Sequence, residues 1–235
     1  MKLEQTLKIM ITAFAIFSIS VPGVLAAESG DGPYVVIIGA PKAGKSHNSR
    51  WMSKAYEIPW INVGEALQAV VEKESKNNRY SASTQHKRGA ASANRSQKNR
   101  EAFDKLQKGE LVSNDALNAI VAAKVLSNEA AEGFILDGYP MTVEQAEFLD
   151  SILEVRGISP LKVIYLNVTD EESLERIKTS SKDKYKGGVG KERLRNFRSM
   201  IGPIVDYYGE DTVFEINGAQ DNSAISAEIV SVLEK

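Results

Sequence analysis

The sequence predicts an α/β fold: a parallel sheet covered by helices on both faces. Three observations predict it. Tyr34–Gly39 (YVVIIG) is a β-branched run ending in glycine, which is how a strand buried on both faces reads. Strand-like and helix-period segments then alternate over about 200 residues, the pattern of βα units. The composition, 43% hydrophobic and 26% charged, is that of an ordinary globular chain with a real core.

The elements follow in order. Residues 1–26 read as a secretory signal peptide: Lys2 and Lys8, the apolar run Ile9 to Val21, then Pro22-Gly23 and small residues before Ala27. The alternative is an uncleaved anchor over 9–27, just long enough to cross a bilayer. The domain is then 27–235. Its strands are expected at Tyr34–Gly39, Ile58–Val63, Gly133–Leu136, Lys162–Val168 and Thr212–Ile216. Helices are expected near 44–56, 64–74, 99–108, 113–130, 142–154, 170–181, 190–208 and 220–234. Two segments differ in composition. Residues 75–100 hold seven basic residues and no acid, and residues 178–191 hold five Lys, one Asp and three Gly. Both read as flexible polar insertions outside the core, either solvated loops or cationic flaps.

Composition excludes several kinds of chemistry. With no cysteine among 235 residues there is no disulfide scaffold, thiolate nucleophile, zinc ribbon or iron–sulfur site. Two histidines, His47 and His86, cannot build a His-rich metal site. A net charge of −2 argues against a general nucleic-acid binder, so no nucleic-acid partner is expected.

Gly39-Ala-Pro-Lys-Ala-Gly44-Lys45-Ser46 matches G-x-x-x-x-G-K-[ST], with a strand before it and a helical segment after it. Glycines let the backbone N–H groups turn inward toward phosphate oxygens. Lys45 would reach the β- and γ-phosphates, and Ser46 would sit near Mg²⁺. Asp137 ends the apolar strand Gly133-Phe-Ile-Leu, and would hold Mg²⁺ or its water shell; alone, it also reads as a helix cap. Gly138, not a glutamate, follows it. No carboxylate stands there to activate water, so transfer to an organic acceptor is expected over hydrolysis. A guanine-reading Asn-Lys-x-Asp motif is absent.

These motifs, with Ile61–Leu67, Lys108–Val112, Gly133–Pro140, Gln145, Glu175–Ile177, Glu192–Leu194 and Pro203–Tyr208, resemble the adenylate kinases among the nucleoside monophosphate kinases. The resemblance runs from Tyr34 to Lys235. It implies the three-layer P-loop nucleoside triphosphate hydrolase fold, with a short lid at about 177–192 and an enlarged acceptor-binding arm at about 64–112. It implies ATP and Mg²⁺ as cofactors and a nucleoside monophosphate as acceptor, in a monomer free of membrane once the signal is cleaved. Lys45, Asp137, Arg176 and Arg193 would be catalytic. Gly39, Ala43, Gly44, Lys45, Ser46, His47, Arg176 and Gln220 would bind the donor. Gly64, Leu67, Val112, Gly138 and Gln145 would bind the acceptor, and Ser46 and Asp137 the metal. Read without the resemblance, Arg176 also fits an ion pair with Glu172, Arg193 a basic helix face with Arg195 and Arg198, Gln145 an exposed helix position, and His47 a helix start.

The departures from the family pattern fall mostly on the acceptor side. Gln68, Met141 and Ser180 stand where the family has arginines, and Lys182 stands at the lid arginine. Lys42 replaces a loop glycine, and His47 a hydroxyl residue that Ser46 would restore. The expectation is phosphoryl transfer with an altered acceptor preference. The second reading is an exported nucleotide-binding pseudokinase acting through interaction, periplasmic or secreted. A third is a scaffold whose insert binds anionic surfaces. Arg79, Lys87, Arg88, Arg95, Lys98 and Arg100 in the arm would supply replacement charge.

Overall fold

The computed structural model describes residues 32–83, 90–159, 161–181 and 188–234. The expected signal segment 1–26, the anchor alternative and the lid residues 182–187 lie outside them. Among the described residues, no helix is long and apolar enough to cross a membrane.

Five strands form one sheet: β1 (Tyr34–Gly39), β2 (Trp60–Asn62), β3 (Phe134–Asp137), β4 (Leu161–Asn167) and β5 (Val213–Asn217). All neighbours are parallel, in the order β2-β3-β1-β4-β5. Every residue of β1 and β3 is buried, so the run YVVIIG behaves as its composition requires. Eight α-helices accompany the sheet among the described residues: α1 (Lys45–Ala55), α2 (Val63–Ser83), α3 (Ala90–Lys108), α4 (Asn114–Val125), α5 (Val143–Arg156), α6 (Asp170–Lys178), α7 (Val189–Tyr208) and α8 (Asn222–Leu233). Besides α2, three of them are closed by the side chains their sequences offer. Thr142, Thr169 and Asp221 each accept an N–H from the first turn of the following helix.

From β1 the chain passes over β3 to reach β2, then returns through β3 and leaves to β4 on the other side. The strand order therefore reverses about β1. Loops leaving the carboxyl ends of β1 and β3 open a crevice there, which is where parallel sheets bind ligands. Register puts Ile37 beside Asp137 and Gly39 beside Leu166, so the glycine loop and Asp137 leave the sheet as neighbours.

The expected loop over 75–100 is corrected. Most of it is helix: α2 runs on to Ser83 and α3 starts at Ala90. Its Ala, Lys, Arg and Gln are good helix formers. Polar groups are buried along the seam. Ser96 and Asn99 are buried, and Asn99 Nδ2 donates to Glu74 Oε1 at 3.1 Å. The arm is thus a helical hairpin. The helix expected over 113–130 divides into α4 and a 3-10 turn at Asn128–Ala130, because Arg156 donates to the Val125 and Ser127 carbonyls at 2.7 and 3.0 Å and so satisfies the end of α4. Strand β2 is shorter than expected, since α2 begins at Val63. Trp51 and Trp60 pack against the core, and Phe197 lies within it.

Phe134 is fully buried in β3 and meets Tyr34 edge-on at 5.5 Å between ring centroids. Phe134→Ala will lower the unfolding free energy by about 3–5 kcal/mol in urea denaturation. Val155→Ala, at a residue 79% exposed, will change it by less than about 0.5 kcal/mol.

Candidate functional site

The loop after β1 begins where a side chain does not fit. A Cβ on Gly39 would lie 2.6 Å from the Leu166 carbonyl oxygen. Gly44, at φ 102°, turns the chain into α1. The N–H groups of His47 and Asn48 close onto the Gly44 carbonyl, which starts the helix. No side chain caps α1, so its N-terminal N–H groups and the positive end of its dipole are left to whatever occupies the crevice. Lys45 folds back across the loop: Nζ donates to the carbonyls of Gly39 at 2.7 Å and Ala40 at 3.0 Å.

Helix α6 holds the loop from its other side. The buried Ser173 hydroxyl donates to the Pro41 carbonyl at 2.7 Å. Arg176 donates Nη1 to the carbonyls of Lys42 at 3.2 Å and Gly218 at 3.1 Å, and Nε to Glu172 at 2.5 Å. The ion pair and the contact with the loop therefore coexist. Arg176 ties the glycine loop to the turn after β5. Gly218 sits close in that turn, since a Cβ there would come 3.1 Å from the Ala43 carbonyl oxygen.

Asp137 is 2% exposed at the end of β3. Its Oδ2 accepts from Ser46 Oγ at 3.2 Å and from Asn62 Nδ2 at 3.0 Å. Both donors are neutral, and among the described residues Asp137 has no ion pair. A carboxylate oxygen beside a hydroxyl oxygen is a hard donor set, the kind Mg²⁺ takes together with waters and phosphates. His47, one residue beyond, is exposed.

The remaining expected residues are more dispersed. Arg193 Nη2 donates to the Leu106 carbonyl at 2.6 Å, and Asn196 Nδ2 to the Gly109 carbonyl at 2.9 Å, so this part of α7 fastens to the end of α3. Gln220 bonds to the Asn217 carbonyl and Glu228 beside β5. On the arm side, Gly64 lies in the first turn of α2, and Leu67 is fully buried in the core. Val112 packs half-buried against that core. Gly138 turns the chain at φ 86° after Asp137.

The exposed reading of Gln145 is corrected: the residue is 1% exposed. Its Oε1 accepts the Met141 N–H at 2.7 Å and its Nε2 donates to Asn114 at 2.9 Å. The Tyr139 hydroxyl donates toward Asn118 Oδ1 and the Gln145 carbonyl, at 2.7 and 2.9 Å. Burial pushes that hydroxyl's pKa well above its usual 10, so it remains a donor. Gln68, where an arginine was expected, bonds to Glu72 along α2.

Sequence reasoning missed Asn62, Ser173, Asn114 and Asn118. Only Asn62 carried a signal: an Asn that ends a strand just before a helix is a cap in waiting.

The family model described as adenylate kinase matches residues 82–213. The chain is 33% identical over 177 residues to an adenylate kinase of Mycolicibacterium vanbaalenii, covering 75% of this chain and 86% of that protein. It is 31% identical over 210 residues to one of Mesorhizobium japonicum, covering 85% and 96%. Against one of Fusobacterium nucleatum it is 28% identical over 226 residues, covering 85% and 97%.

Lys42 has φ 66°, a left-handed conformation that costs a non-glycine residue about 1–2 kcal/mol. Part of that is offset by glycine's greater freedom when unfolded. Lys42→Gly will therefore raise the unfolding free energy by up to about 1 kcal/mol, seen as a higher melting temperature.

Proposed function

The chain belongs to the adenylate kinase family, and from that premise we propose that it moves the γ-phosphoryl group of ATP onto a nucleoside monophosphate, with an acceptor preference shifted by its own substitutions. The observation that carries this reading is the junction of Lys45, Ser46 and Asp137 at the mouth of the glycine loop. The relatives' shared name supports nucleotides as the substrates.

In this reading the uncapped N–H groups of α1 receive the donor's phosphates, and Lys45 exchanges the Gly39 and Ala40 carbonyls for phosphate oxygens. Asp137 and Ser46 hold Mg²⁺, which when bound neutralises charge between the phosphates. Arg176 keeps the loop and the Gly218 turn at a fixed spacing, so the donor is held in one place.

The acceptor side has less charge. Met141 offers no donor from its side chain, and its N–H is already taken by Gln145. Gln68 is neutral and bonded to Glu72. One lost preorganised donor costs about 10²–10³ in rate, so a monophosphate that relies on both positions is a poor acceptor. Arg95 and Arg100 on α3 would supply replacement cations from the arm to a different acceptor, with Lys98 already paired with Asp115.

A turnover assay on residues 27–235, with AMP, CMP, UMP, GMP and their deoxy forms, tests the proposal. At least one acceptor will yield ADP from ATP, and Lys45→Met will reduce that yield by about 10² or more. No ADP above the Lys45→Met level with any acceptor overturns it.

A further inference from the structure

Asn62 is the residue in the site that neither the loop motif nor Asp137 requires, and it makes two bonds at once. Nδ2 donates to Asp137 Oδ2 at 3.0 Å. Oδ1 accepts the Glu65 N–H at 3.0 Å, in the first turn of α2. Only one orientation of the amide satisfies both partners. Turned over, it would set oxygen against carboxylate and N–H against N–H. Its backbone belongs to β2, paired with Asp137 in register. One rigid side chain thus spans the carboxylate and the base of the arm helix. The same Oδ2 that Asn62 holds also receives Ser46 Oγ, which opens α1.

We infer that Asn62 is a positioning residue that couples the first turn of the arm helix α2 to the metal-holding carboxylate of Asp137. This rests on the Mg²⁺ reading of Asp137 given above. A cation drawing on Asp137 changes the strength and direction of the bond that Oδ2 accepts from Asn62. The other end of the amide passes that change to the Glu65 N–H and the start of α2. Donor binding at the glycine loop is thereby felt at the arm. In the reverse direction, Asn62 fixes the Asp137 carboxylate for the metal, a supporting role in which a lost partner lowers metal affinity by about 10- to 100-fold.

A helix cap alone would give Asn62 a purely structural role, so the test separates capping from coupling. Asn62→Thr keeps an oxygen that caps α2 but is too short to reach Asp137. Asn62→Asp keeps the cap and the length but turns the donor into a second carboxylate. ATP binding is measured by calorimetry with Mg²⁺ and with EDTA. Amide hydrogen exchange of residues 63–68 is followed with and without Mg²⁺-ATP. In the unmodified protein Mg²⁺ will tighten ATP binding and slow exchange over 63–68. In Asn62→Thr the affinity in EDTA will be unchanged, the gain from Mg²⁺ will fall about tenfold or more, and the exchange response will disappear. Asn62→Asp will lose the exchange response as well. A full Mg²⁺ gain and exchange response in Asn62→Thr overturns the coupling and leaves a simple cap. Tighter Mg²⁺-ATP binding with no change over 63–68 in the unmodified protein overturns it too, whether or not the variants fold. No Mg²⁺ gain in the unmodified protein overturns the metal reading itself, and the coupling with it.

Discussion

A carboxylate at the end of an interior strand must be held by polar partners, and in this protein the partners of Asp137 join neighbouring elements at the carboxyl end of the sheet. Oδ2 of Asp137 receives Ser46 from the start of α1 and Asn62 from the end of β2. Three elements, each leaving the sheet at its carboxyl end, thus meet at one oxygen. Both donors are neutral, so the negative charge is solvated by dipoles and not cancelled. Such a group is tolerable when buried only because its hydrogen bonds are made. It remains a site where a hard cation gains. The glycine loop is fastened separately at the same end of the sheet: Gly39 passes close against Leu166, and Ser173 and Arg176 hold Pro41, Lys42 and Gly218 from α6.

Beside the glycine loop, the arm is built differently. It is a hairpin of two long helices whose seam contains Asn99, Ser96 and Glu74 as well as apolar side chains. It joins the core through apolar packing, with Leu67 and Ala102 inside the core and Val70, Phe103 and Leu106 against it, and through polar contacts of Asn62 at the start of α2 and of Arg193 and Asn196 at the end of α3. Between β3 and the helices α4 and α5, by contrast, Tyr139, Asn118, Gln145 and Asn114 form a closed network. Met141 is held by this network through its backbone N–H.

The sheet, the glycine loop and Asp137 were legible in the sequence because local rules determine them. A β-branched run ending in glycine has few other uses, and G-x-x-x-x-G-K-S needs its strand and helix on either side. The arm was not legible as structure. Residues 75–100 look disordered by charge and polarity, yet their residues favour helix, and a polar seam with α2 orders the pair. Read without the resemblance, Gln145 passed for a surface residue because its amide bonds to Asn114, 31 positions away, which only the tertiary fold brings to it. Asn62 and Ser173 escaped for the same reason, since each bonds to a residue 75 or more positions away.

The most direct test is Asp137→Asn, which keeps the shape and removes the charge. Nucleotide affinity is measured with and without Mg²⁺, alongside thermal unfolding of the ligand-free protein. If the carboxylate is there for a cation, the ligand-free variant will melt at or above the unmodified protein's temperature, and Mg²⁺ will no longer tighten ATP binding. A variant that melts lower while keeping its full Mg²⁺ dependence would contradict this, and would make Asp137 a structural acceptor for Ser46 and Asn62 alone.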